Sequence, residues 1–245
     1  MRTASDAPLA VFDIDGTLVD SRAAILEAAV TAARAVGLPE PGYEAVRQIV
    51  GLSLHEALGQ LGPGLTDAEL AEFVAAYQGA FRAMHARPGF EEPLYAGAAD
   101  LLERLKRDGW RLSLATGQSR RGVERNLARG GWADLFLSSH CADDGPGKPD
   151  PAMLIRAMSV CGGVPERTVM IGDTSHDMRM ALNAGVRPQG VAWGFHTAGE
   201  VLASGAVHVA EDFPALERAL HGFAARPGPR DDSHNQVAEN ALKVS

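Results

Sequence analysis

The sequence predicts an α/β protein built on a parallel sheet, with an all-helical segment inserted after the first strand. Three observations predict it. Short apolar runs alternate with longer segments of helical periodicity, and the connections between them are brief. Polar clusters with turn residues stand at the ends of several apolar runs. Residues 20–92, between the first run and the rest, contain no convincing strand.

Taken in order, Leu9-Ala10-Val11-Phe12 reads as a buried strand that ends in the polar turn Asp13-Ile14-Asp15-Gly16-Thr17. A helix follows from an N-cap at Ser21 to Val36, where Gly37 and Pro39 stop it. Residues 43–61 suggest one or two short helices around Gly51. Thr66-Asp67-Ala68-Glu69 fits a capping box, and Leu70, Phe73, Val74, Tyr77, Phe81 and Met84 recur at helical spacing behind it. Further along, helices are expected over 98–106, 120–127, 178–184 and from the Asp150-Pro151 cap to Val160. Strands are expected over 111–115, 134–138, 168–171, 190–193 and 206–210, with a helix after each of the last two.

Composition bounds the function. Of 245 residues, 46% are apolar and 22% charged, which is ordinary globular usage and excludes disorder throughout. The net charge of −8 argues against a surface that grips nucleic acid by its phosphates. No apolar run approaches the roughly 18–20 residues that cross a bilayer, and the first eight residues hold no export signal. Two cysteines, Cys141 and Cys161, make neither a disulfide framework nor a metal cluster. The expectation is a soluble, cytoplasmic protein, monomer or homodimer, with a small-molecule partner and no membrane or nucleic acid. Residues 226–245, rich in Pro, Gly, Asp, Ser and Asn, are expected to be a flexible, solvated tail.

Ligands of open parallel sheets bind at the carboxyl ends of the strands. Asp13/Asp15, Thr116-Gly117, Lys148 and Asp173/Asp177 all fall at or just beyond such ends. Two close carboxylates repel, so one holds its proton more easily, which suits a nucleophile beside a general acid/base. An Asp-Gly turn explains the same residues without chemistry, as a helix's first turn explains Asp177. Hard, oxygen-rich carboxylate sites suit Mg²⁺. Of three lysines, only Lys148 stands in a turn-rich loop, flanked by Pro146 and Pro149, well placed to meet phosphate. Thr116 and the amides after it approach a helix start that can hold phosphoryl oxygens.

These residues together resemble the haloacid dehalogenase superfamily, in its helical-cap, phosphoglycolate-phosphatase-like branch. Asp13-Ile14-Asp15-Gly16-Thr17 is similar to its first motif, Thr116 to the second, Lys148-Pro149 to the third and Gly172-Asp173-Thr174-Ser175-His176-Asp177 to the fourth. The likeness covers residues 9–224, in order, and extends to Ala142-Asp143-Asp144 and Gly190-Val191-Ala192-Trp193-Gly194. It implies a Rossmann-like core of residues 1–19 and 93–225, and a cap of four or five helices over 20–92. It also implies a Mg²⁺-dependent phosphatase of small phosphomonoesters. Asp13 would attack phosphorus to form an aspartyl-phosphate, and Asp15 would act as acid and then base. Thr116, Gly117 and Lys148 would hold the phosphoryl group. Asp13, the main-chain carbonyl of Asp15, and Asp173 would bind the ion, with Asp177 ligating or supporting it.

Gln118 stands where relatives often carry lysine or asparagine, and His176 is expected partly exposed at the rim. Asp15 argues against a dehalogenase. The absence of lysine from residues 20–92 argues against a phosphonate-cleaving enzyme that forms an imine. A phosphomutase of the same family and a non-catalytic phospho-acceptor module remain open. Substrate choice is expected from the cap, where Arg47, Gly51, Leu52, His55 and Arg82 are candidates.

Overall fold

The computed structural model describes residues 7–226. Six parallel strands lie in the order β3-β2-β1-β4-β5-β6: β1 Leu9–Phe12, β2 Arg111–Ala115, β3 Ser138–His140, β4 Thr168–Gly172, β5 Arg187–Val191 and β6 His208–Ala210. All four residues of β1 are buried, as a central strand of a sheet covered on both faces requires. Its side chains alternate between two cores. Ala10 and Phe12 join α5 (Ala98–Arg107) and α10 (Phe213–Ala224) on one face. Leu9 and Val11 join α7 (Ala152–Cys161) and α8 (Ser175–Asn183) on the other. Burying each large apolar side chain of these layers is worth about 1.5–3 kcal/mol.

The chain winds one way from β1 to β2 and β3, and the other way to β4, β5 and β6. The crevice for a ligand therefore opens at the carboxyl ends of β1 and its two neighbours. Register brings the clusters to that edge. Phe12 is level with Leu114 and Ile171, so the residues that follow, Asp13, Ala115-Thr116 and Gly172-Asp173, emerge side by side.

Between β1 and β2, before α5, four helices form the insert: α1 Arg22–Ala35, α2 Tyr43–Ile49, α3 Leu54–Leu61 and α4 Asp67–His85. An alanine face of α1 (Ala24, Ala28, Ala32) packs with Phe73, Ala80 and Met84 of α4. The expected capping box starts α4: the Thr66 side chain accepts from the Glu69 amide, and the Glu69 carboxylate accepts from the Thr66 amide at 2.8 Å. Ser21 stands at the N-cap of α1 but makes no cap hydrogen bond with its side chain. The two connections to the insert run together, with Asp20 N donating to Pro93 O at 2.8 Å and Tyr95 N to Leu18 O at 3.1 Å.

Three strand expectations are corrected. The run at 134–138 is an anchoring turn whose Leu135 and Phe136 pack against the core, and pairing begins at Ser138 opposite Ser113. β5 begins three residues before the expected 190–193, because Pro188, a breaker in sequence terms, sits at its start, before β6 joins at Gln189. β6 begins at His208 rather than 206. The Asp150-Pro151 cap stands one residue from expectation: Asp150 accepts from the amide of Ala152, the first residue of α7. The expected tail lies outside the described residues, apart from Arg226. Among the described residues no helix is long and apolar enough to cross a membrane.

Candidate active site

Asp13 leaves the end of β1 with its amide bonded to Ile171 O, and its carboxylate is buried. Lys148, fully buried, reaches it from the loop before α7. Its Nζ lies 2.9 Å from Asp13 Oδ1 and 2.6 Å from Asp177 Oδ1. Asp173, at the end of β4, accepts from Thr17 Oγ1 at 2.9 Å and from the Phe195 amide at 2.7 Å. Asp177 sits in the first turn of α8, where its other oxygen accepts from the Thr174 amide and hydroxyl, closing a capping box. The expected place of Asp177 in a helix's first turn is thus observed, and the same residue contacts Lys148 through its other oxygen.

Asp13, Asp173 and Asp177 each offer an oxygen within 4.8 Å of the others, all buried. Three carboxylates against one ammonium leave an excess of negative charge in a dry setting. Burial raises Asp13 above the ordinary carboxylate range; Lys148 opposes this, and Asp177 and Asp15 add to it. Burial, then Asp177 and Asp13, raise Asp173 well above that range. Burial alone would depress Lys148, but the Asp13 and Asp177 charges outweigh it and hold the ammonium above its usual value. Asp13 Oδ2 is buried without a hydrogen-bond partner among the described residues. Gly16 and Gly194 close on Asp173 so tightly that a Cβ at either would lie 2.2 Å from its Oδ2. A hard divalent cation fits this all-oxygen donor set, its charge and its orphaned oxygen.

Asp15 stands apart from that group and lines a cavity instead. Gln118 Nε2 donates to both of its oxygens at 2.9 Å, and Asn126 Nδ2 donates to Gln118 Oε1 at 2.9 Å. Burial raises the Asp15 carboxyl, with Gln118 opposing. Sequence reasoning noted Gln118 as a departure and missed that it orients Asp15; the signal was a polar side chain two residues beyond the second motif. Thr17, quoted in the first motif without a role of its own, donates to Asp173.

Thr116, just beyond β2, is buried, its Oγ1 accepting from the Gln118 amide at 3.3 Å. Gly117 meets the insert: a Cβ there would lie 2.5 Å from Leu52 O and 3.0 Å from Gly51 O. Gly51, Leu52 and Arg82 line the cavity, whereas Arg47 and His55 do not. Arg47 is held by Glu44 at 2.7 Å and by Glu200 at 2.9 Å, so it spans from insert to core. His176, partly buried, meets Gln48 O at 3.0 Å, and His196 Nε2 meets Arg47 O at 3.2 Å.

The sequence matches the haloacid dehalogenase-like hydrolase profile over residues 10–191. It is 35% identical over 222 residues to a probable phosphatase, IndB, of Dickeya dadantii, covering 88% of this chain and 94% of that one. It is 33% identical over 199 residues to phosphoglycolate phosphatase 1 of Pseudomonas aeruginosa, covering 77% and 70% respectively. A solved hydrolase from Pseudomonas syringae superposes with a TM-score of 0.79 at 26% identity, over 89% of this chain and 100% of that one. With this match spanning most of the sheet and insert, the chain belongs to the haloacid dehalogenase-like hydrolase family.

Proposed function

We propose that this hydrolase is a Mg²⁺-dependent phosphatase of small phosphomonoesters that works through an aspartyl-phosphate on Asp13. The observation that carries the reading is the Asp13 carboxylate: buried, steered by Lys148 through one oxygen, and with the other oxygen unbonded. An anionic nucleophile meets an anionic ester only where positive charge screens both. Asp13, Asp173 and the Asp15 carbonyl would hold Mg²⁺, with Asp177 in support. When bound, the ion neutralises charge on the phosphoryl oxygens and on the attacking carboxylate.

Asp13 attacks phosphorus, and the ester P–O bond breaks. Asp15, its proton favoured by burial and its carboxyl oriented by Gln118, gives that proton to the leaving oxygen. Lys148, Thr116 and the Gly117 amide hold the phosphoryl oxygens. Asp15, now ionised, takes a proton from a water that attacks the phosphorus; the bond to Asp13 breaks and inorganic phosphate leaves. The phosphatase names of the relatives support this reading, and phosphoglycolate is one substrate they put forward. The paired connections at Asp20–Pro93 and Leu18–Tyr95 support a cap of residues 20–92 hinged on a core of 1–19 and 93–225.

The test is phosphate release from p-nitrophenyl phosphate. Multiple turnovers with Mg²⁺, abolished by EDTA and restored by added Mg²⁺, are expected. Turnover indifferent to EDTA, or labelling of the protein without turnover, contradicts the proposal.

A further inference from the structure

Between the insert and α6 (Arg120–Gly130) lies a cavity of about 560 Å³, and Asp15 forms part of its wall. That volume falls in the range of roughly 300–1,000 Å³ typical of pockets for ligands of drug-like size. Ile25, Ile49, Val50, Leu54, Leu58 and Phe81 give it an apolar wall from the insert. Across from them stand Arg121 and Arg125, one helical turn apart on the same face of α6, and Arg82 from α4 joins them. None of these three guanidiniums has a hydrogen bond or ion pair among the described residues. Arg22, Arg47, Arg104 and Arg120, by contrast, each hold a carboxylate.

We infer that the preferred substrate is the phosphate ester of a hydroxy acid with an apolar body larger than glycolate, its carboxylate read by Arg125 with Arg121. The inference rests on the phosphatase reading and deepens it. Asp15 protonates the leaving oxygen, so the rest of the leaving group extends from that residue into the cavity. Apolar walls reward a hydrocarbon or aryl body by removing it from water. Arg125 is half-buried and has lost solvent, and among the described residues it makes no hydrogen bond or ion pair, its carboxylate neighbours Glu92 and Asp15 acting on it only through their charge; an anion that reaches it forms a charge-assisted, bidentate contact. Glycolate would supply the anion and leave most of the apolar wall uncovered.

Three acids share the wall with the arginines: Asp15, which the mechanism uses, Asp143, whose Oδ2 accepts from the Arg120 amide at 2.7 Å, and Glu92. Glu92 is buried, 3.4 Å from His85 Nε2, and burial followed by the Asp15 charge pushes its pKa up to about 7. Near neutrality it therefore carries only part of a charge. His85 feels the same basic face: burial first, then Arg125, Arg129 and Arg121, lower its pKa.

The test compares phenyl phosphate, 4-(2-carboxyethyl)phenyl phosphate and 2-phosphoglycolate with the wild-type enzyme. The carboxylated aryl ester is expected to exceed both others in kcat/KM by roughly tenfold or more, the value of one charge-assisted contact or of a buried ring. A preference for phosphoglycolate, or equal rates for the two aryl esters, overturns the inference. In Arg125→Gln, and in Arg121→Gln should the first not fold, the ratio of carboxylated to plain aryl ester is expected to fall toward one. An unchanged ratio overturns the assignment to Arg125 and Arg121. Calorimetry with 3-(4-hydroxyphenyl)propionate, the dephosphorylated product, needs no turnover. Binding to the wild type, weakened in the variants, supports the pocket even if no ester is hydrolysed and the phosphatase reading fails. Absence of binding to the wild type counts against the pocket.

Discussion

Lys148 shows how one side chain can be legible and its surroundings not. Its type and its turn-rich loop marked it in the sequence, and it stands between Asp13 and Asp177. The residues that orient Asp15 were illegible, because Gln118 and Asn126 meet the acid only once α6 docks on the sheet. Glu92 was illegible for the same reason: nothing in a local window reveals that it is buried beside Asp15. Its raised pKa makes a prediction. A carboxyl whose native pKa lies above its unfolded one keeps its proton longer in the folded state. It therefore costs stability progressively as pH climbs from its ordinary 4.5 to about 7, and fully above that. Glu92→Gln removes the ionisation. In EDTA it is expected to be more stable than wild type at pH 8 by about 1–3 kcal/mol in urea unfolding, with the gain gone at pH 4. A gain independent of pH contradicts the account.

At the scale of elements, the start of α4 was legible because a capping box is a local device, whereas α8 begins at Ser175, three residues before the expected 178. Thr66/Glu69 needs only four consecutive residues to be recognised, and Thr174/Asp177 uses the same chemistry inside the fourth motif. Strand starts were read less well. Pairing decides where a strand begins, so Leu135 and Phe136 looked like strand while serving as anchors, and Pro188 concealed the start of β5. The contact of the loop after β2 with the insert is a second non-local feature. Backbone oxygens of Gly51 and Leu52 leave no room for a side chain at Gly117. Gly117→Ala forces the insert off the core at that point. It is expected to raise KM for every phosphomonoester by roughly tenfold or more, the scale of a positional error of about 1 Å at a reacting centre, with the melting temperature little changed. An unaltered KM contradicts this.

For the molecule as a whole, the sheet's switch from one winding direction to the other at β1 explains why residues scattered from Asp13 to Asp177 share one crevice. That much followed from the expectation of a parallel sheet, whose ligands bind at the carboxyl ends of its strands, and from turn chemistry. The relation of insert to core did not, because it depends on side chains far apart in sequence. Arg47 shows this: marked as a candidate for substrate choice, it instead joins α2 to Glu200 at the start of α9 (Ala198–Ala203), with Gln48 donating to the same carboxylate. Arg47→Ala therefore loosens the seating of the insert. It is expected to raise KM for carboxylated and uncharged aryl esters by the same factor, about two- to fivefold for a partly exposed pair. A rise confined to the carboxylated ester would make Arg47 a direct reader of substrate and contradict its place in the bridge.

The central claim, a covalent phosphoryl group on Asp13, is tested most directly by rapid-quench labelling with a ³²P-phosphomonoester and Mg²⁺. The account predicts a burst of label on the protein within the first turnover, stable to acid, released by hydroxylamine, mapped to the peptide holding Asp13, and absent from Asp13→Asn. Substrate consumed with no labelled protein, or label that persists in Asp13→Asn, would contradict it.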